Sequence, residues 1–255
     1  MKAALLRMTV SGLVCWLSVG IALAQTPVRK SKKKLPVVEQ DASPPSELSA
    51  TSPPGDGEDS AKAKAAPNAT IQTGQIVEFG GELPRVKKLI ESALALTTQG
   101  LTYTPNSDDP ANGGMDCSGF ISYLLRNNGF PDVPRDASGQ YIWLRKVGAF
   151  RAVLSKNPDT FELEDLRPGD LLFWTGTYVT NHDPPLTHVM MYLGTEKDTG
   201  NRVMVGSSNG RSYHGKSRWG VSIFDFHTDD SLRAPGTKPV RSIFVGYGRP
   251  PGLRD

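Results

Sequence analysis

"GGMDCSGFISYLLRNNG", residues 113–129, joins a glycine pair to an amphipathic run, with a cysteine at the junction. From Cys117 onward, Phe120, Ile121, Leu124 and Leu125 recur at helical spacing, and "NNG" ends the run. The pattern predicts a helix whose first turn contains Cys117. Upstream, "ELPRVKKLIESALALTTQG" (82–100) sets Val86, Leu89, Ile90, Ala93 and Leu94 on one helical face, with Gly100 as a stop. A loop rich in Asn, Asp, Pro and Gly (105–114) separates the two helices. Downstream the period changes. "DLLFW" (170–174), "HVMMYLG" (188–194), "RVMVG" (202–206), "GVSIFDF" (220–226) and "SIFVGYG" (242–248) are short β-rich runs between turn residues. Two helices followed by several strands predict an α+β domain.

The N-terminus fixes the expected compartment. Lys2 and Arg7 precede an apolar run from Met8 to about Leu23, which ends in the small-x-small pattern Ala22-Leu23-Ala24. This reads as a signal peptide, residues 1–24, cut after Ala24, and the run is short for a membrane span. Cys15 is preceded by Val14, where a lipoprotein signal would place a small residue. The expected protein is exported, periplasmic or extracellular, and associated with the cell envelope.

Residues 25–81 read as a tether. No aromatic residue occurs from Gln25 to Glu78, and prolines cluster among Ser, Ala, Lys and Glu. Such a segment cannot bury enough apolar surface to offset chain entropy. Its basic run "RKSKKK" (29–34) suits peripheral contact with an anionic envelope surface, and a plain spacer is the alternative. All nine phenylalanines and all seven tyrosines lie at residue 79 or beyond, so residues 82–255 are expected to form the one folded domain. Of the net charge of +3, Lys2 and Arg7 carry two, and residues 25–80 balance to zero. The folded part is near neutral and gives no sign of nucleic-acid binding.

Losing the signal would also remove Cys15 and leave Cys117 unpaired, in a compartment that favours disulfides. On the residues alone, Cys117 is either a small buried hydrophobe or a reactive thiol. A helix start favours the thiolate through its dipole and free N–H groups. Asp116 opposes that charge unless it caps the helix or receives a cation from a ligand, and both readings stay open. Of four histidines (His182, His188, His214, His227), only His188 begins a strongly apolar strand, where a base is rigidly held.

Taken in order, "DCSGFISYLLRNNGF", "PRDASGQ", "LRPGDLLFW" and "THVMMYLG" resemble the NlpC family of cell-wall cysteine endopeptidases across about residues 84–250. The resemblance implies a papain-like fold, N-terminal helices with the nucleophile at a helix start packed on an antiparallel sheet. It further implies Cys117 as nucleophile, His188 as general base and acid, and a peptidoglycan stem peptide as substrate, with no cofactor or metal. By the same resemblance, Tyr103, Asp116 and Ser118 are substrate-binding residues. The family's third polar residue, which steadies the histidine, corresponds to about Gly206 in "VMVGSSNG" (203–210), which cannot serve. Ser207, Ser208 and Asn209 are the polar substitutes; Asn209 is chemically the most apt and Ser208 the next choice. The approach "YTPNSDDPANGG" also departs from the family's tighter spacing. Two other classes stay open: a catalytically weak wall-binding or regulatory relative, and a secreted amidase acting elsewhere.

Overall fold

In a computed structural model of the chain, residues 62–228 and 242–254 are described. The expected signal peptide, the basic run and most of the expected tether lie outside them. Among the described residues a sheet is accompanied by the helices α1 (Pro84–Thr97), α2 (Cys117–Asn127) and α3 (Ala137–Lys146). A two-stranded parallel pair, β1 (Thr102–Tyr103) and β2 (Gly114–Met115), precedes α2. Six further strands form one antiparallel sheet: β3 (Phe150–Ala152), β4 (Leu171–Thr175), β5 (Leu186–Thr195), β6 (Arg202–Tyr213), β7 (Lys216–Asp225) and β8 (Ile243–Gly248). Their order is β3-β8-β4-β5-β6-β7, so the last strand lies inside the sheet. This is the expected α+β arrangement, with Cys117 at a helix start against an antiparallel sheet.

Both faces of the sheet are covered, which explains why its central strands are apolar runs rather than alternating ones. On one face Val189, Met191 and Leu193 of β5 pack with Val203 and Val205 of β6 against α1 and α2 (Leu89, Ile90, Phe120, Ile121, Leu124). On the other, Met190, Tyr192 and Met204 join Trp174, Phe224 and Tyr247. The connection between β3 and β4 closes that second face with Val153, Leu163 and Leu166. Edge-on ring contacts among Tyr141, Phe150 and Phe173 fasten α3 to the sheet.

Local chemistry sets the start of α2. The Asp116 carboxylate accepts from the Gly119 N–H at 2.7 Å, an N-cap that satisfies one of the free first-turn donors. Gly119 is required by closeness: a Cβ there would lie 2.1 Å from the Ser107 carbonyl oxygen. That carbonyl also accepts the Asp116 N–H at 3.0 Å, which locks the 105–114 loop beneath the helix.

The ordered domain begins earlier than the composition predicts. Ala66 bridges to Arg218 of β7, Ile76 bridges to Glu196, and Ile71 and Ile76 are buried in the core. Glu78 accepts from both the N–H and the hydroxyl of Thr195, each at 2.8 Å. The boundary at residue 81 is therefore corrected: residues 66–81 belong to the folded unit. Two isoleucines and one carboxylate anchor a segment that has hardly any aromatic content.

Candidate active site

Cys117 is the first residue of α2 and is 6% exposed. The backbone N–H groups of Ser118 and Val189 face its sulfur. Val189 follows His188 directly, so the helix start and the β5 start meet at the thiol. Burial, and then the charge of Asp116, push the thiol up to about 12, against the pull of those N–H groups and of Arg135. His188 is also 6% exposed. Burial, helped by the nearby Arg211 charge, holds its imidazole well below the ordinary histidine range. Both shifts favour the neutral forms, a thiol at Cys117 and an unprotonated imidazole at His188.

Asp116 and Ser118 sit in a charge network that the sequence reading left out. Arg135 clamps Asp116 through both nitrogens, Nη1–Oδ1 at 3.1 Å and Nη2–Oδ2 at 2.7 Å. Its Nη1 also donates to the Ser118 hydroxyl at 3.1 Å, and that hydroxyl donates to Asp116 at 3.1 Å. Arg135 further pairs with Asp108 at 3.3 Å. Of the two roles left open for Asp116, the cap is realised, and the cation it receives here is Arg135. Gln140, fully buried on α3, donates to the carbonyls of Ser118 and Pro134 at 3.1 and 3.0 Å and so fixes the first turn of α2. Arg135 and Gln140 both belong to "PRDASGQ", and that block is the signal that could have found them.

Tyr103, on β1, is paired with Met115, two residues before the cysteine. Tyr178, in the β4–β5 loop, is half exposed. Burial raises its phenol, and the charges of Cys117, Asp116 and Asp136 reach it. The same loop is latched to the start of α3, where the Ser138 hydroxyl donates to Pro184 O at 2.8 Å and lies 3.2 Å from His182 Nδ1. His214 is occupied elsewhere. Its Nε2 meets Glu196 at 2.8 Å and its ring stacks on Tyr213.

The third position behaves as its glycine implies. The side chain of Met190 packs over Gly206 and fills the space a larger residue would need. Ser207 turns to the helix face and donates to Met115 O at 2.6 Å. Ser208 pairs across to Gly220 of β7 and Asn209 to Trp219. His188 Nε2 is buried with no hydrogen-bond partner, so neither Ser208 nor Asn209 holds it here. The charged neighbour instead is Arg211, further along β6, whose guanidinium carbon lies 4.1 Å from the centre of the Trp174 ring. Among the described residues, no group of three or more His, Cys, Asp or Glu is placed to hold a metal ion.

Residues 97–221 match the family model of the NlpC/P60 family. Among solved structures, the chain is similar to a Staphylococcus aureus subsp. aureus Mu50 protein described as similar to lipoprotein, NLP/P60 family. The identity is 22% over 66% of this chain and 42% of that one, with a TM-score of 0.41. The chain therefore spans less than half the length of that protein. No curated protein matches it.

Proposed function

The chain belongs to the NlpC/P60 family through residues 97–221, and we propose that it is an exported cysteine hydrolase cutting an amide bond in the peptide part of peptidoglycan. Members of this family are in general cell-wall peptidases. The observation that carries the reading is the meeting of Cys117, at the start of α2, with the peptide group that links His188 to Val189.

In the proposed reaction His188, unprotonated at neutral pH, takes the thiol proton as the sulfur attacks the amide carbonyl carbon. The carbonyl π pair moves to oxygen, where N–H groups of the first turn of α2 stabilise it. Collapse breaks the C–N bond, and His188 returns its proton to the departing amine. Water then attacks the thioester, giving its proton to His188, and the thiol is restored. Tyr103, Asp116 and Ser118 border this centre as proposed substrate contacts, with Arg135 setting the geometry of the latter two. Export by a signal peptide, residues 1–24, would deliver the domain to its substrate.

One observation favours a second reading, a catalytically weak wall-binding relative: Gly206 and the unpartnered His188 Nε2 leave the base without a steadying residue. Digestion of purified sacculi separates the two. New muropeptide fragments with the intact chain, and none with Cys117→Ala, are the expected result. Identical profiles from both proteins would overturn the hydrolase assignment.

A further inference from the structure

Arg211 has no part in the reaction above, yet its position beside the base is unusual. It is 6% exposed, and burial pushes its guanidinium down to about 9. A buried cation is normally paired, because desolvation costs more than stacking returns. Here Nη1 has no hydrogen-bond partner. His188 Nε2, buried to the same extent, has none either.

Strand order brings these two groups together. β5 lies between β4 and β6, and His188 of β5 pairs directly opposite Trp174 of β4. Arg211 belongs to β6, yet its guanidinium rests on the Trp174 ring, 4.1 Å from the centre. Both groups therefore lie against the same ring: the His188 ring centre is 5.8 Å from that of Trp174, and the Arg211 charge reaches the imidazole. Two unsatisfied nitrogens, one of them on a group charged at neutral pH, share one aromatic wall.

We propose that Arg211 and His188 form a carboxylate-binding site, in which the carboxylate accepts from Arg211 Nη1 and from the Nε2–H of His188. The site takes a carboxylate because both groups are donors and a guanidinium meets the planar pair of oxygens in matching geometry. Bound there, the carboxylate holds the imidazole proton on Nε2 and leaves the Nδ1 lone pair for the thiol. It also neutralises Arg211, which otherwise opposes protonation of His188. The chain's missing third residue is thus supplied by the ligand. This deepens the hydrolase reading and rests on it only for the catalytic consequence. The carboxylate comes either from the peptide substrate itself or from a free small acid.

The test uses the full chain carrying Cys117→Ala, so no turnover occurs and the result stands apart from the hydrolase assignment. Sodium acetate is titrated against a matched sodium chloride series while the His188 ring-nitrogen resonances are followed. A saturable shift with acetate, absent with chloride and lost on adding Arg211→Met, is expected. Arg211→Lys keeps the charge without the fork and should bind more weakly yet still bind, which decides the matter if Arg211→Met does not fold.

A second arm identifies the source with stem-peptide fragments whose free carboxylates are kept or amidated. If the substrate provides the group, amidation weakens binding about tenfold or more with Arg211 present and not with Arg211→Met. Equal binding of both forms, with the acetate shift intact, assigns the site to a free acid. No shift from acetate or peptide, an equal shift with chloride, or a shift that survives in Arg211→Met overturns the proposal.

Discussion

Cys117 carries the carboxylate of its own helix cap as its immediate neighbour, and that carboxylate works against the thiolate. Arg135 offsets it from the other side. Removing each charge should move the thiol in opposite directions. Asp116→Asn keeps a good cap and lowers the thiol pKa, so alkylation by iodoacetamide at a fixed mildly alkaline pH speeds up, by roughly threefold. Arg135→Met slows it by a similar factor. His188 gives a pH test whose sign follows from linkage. Its folded value lies below the ordinary 6.5, so below about pH 6.5 the unfolded chain binds a proton that the folded chain refuses. Stability is then complete above that pH and falls as pH drops toward the folded value, by at most about 1.4 kcal/mol per pH unit. Urea unfolding from pH 7 to 5 should show the slope, and His188→Gln should flatten it. Cys117 and His188 were legible because each sits at the start of a periodic run. Arg135 could be found only through its place in "PRDASGQ", and Arg211 left no period at all, because the groups they meet lie across loops and strands.

At the scale of elements, the start of α2 depends on one backbone contact. Gly119→Ala would drive a methyl group into the Ser107 carbonyl and lift the helix off the 105–114 loop. A loss of about 2 kcal/mol, read as a lower melting temperature, together with slower turnover of any peptide substrate, is expected. The central strands were readable as apolar runs because both of their faces are buried. The outer halves of β6 and β7 were not. "SSNGRSYHGKSR" (207–218) is mostly polar, and it is held as a hairpin by ladder bonds, by the Glu196–His214 pair and by the one buried ring of Tyr213. α3 was missed for a related reason. Ala137, Gln140 and Leu144 are its buried residues, and a buried glutamine that donates to two carbonyls does not register as an apolar position.

Over the whole molecule, composition placed the domain boundary too late, because Ile71 and Ile76 are invisible to an aromatic count and decisive in packing. β7 is an edge strand, and the 66–69 segment lies along it: Ala66 N–H donates to Ser217 O at 2.8 Å and Ile223 N–H to Ala69 O at 3.1 Å. A chain that begins at residue 82 should therefore be less stable than one that begins at residue 62, by about 3 kcal/mol or more for the two isoleucines alone. It should also self-associate through the uncovered edge, which light scattering would detect. The interior position of β8 has a different consequence, one of timing. β3 and β4 cannot be joined until residues 243–248 slide between them, and those residues follow every other strand of the sheet in the chain. Long-range pairing of this kind is slow to form. A chain made N-terminus first carries its thiol and its histidine before the sheet that frames them is closed, so the domain has a built-in delay between the appearance of those residues and the closing of their frame.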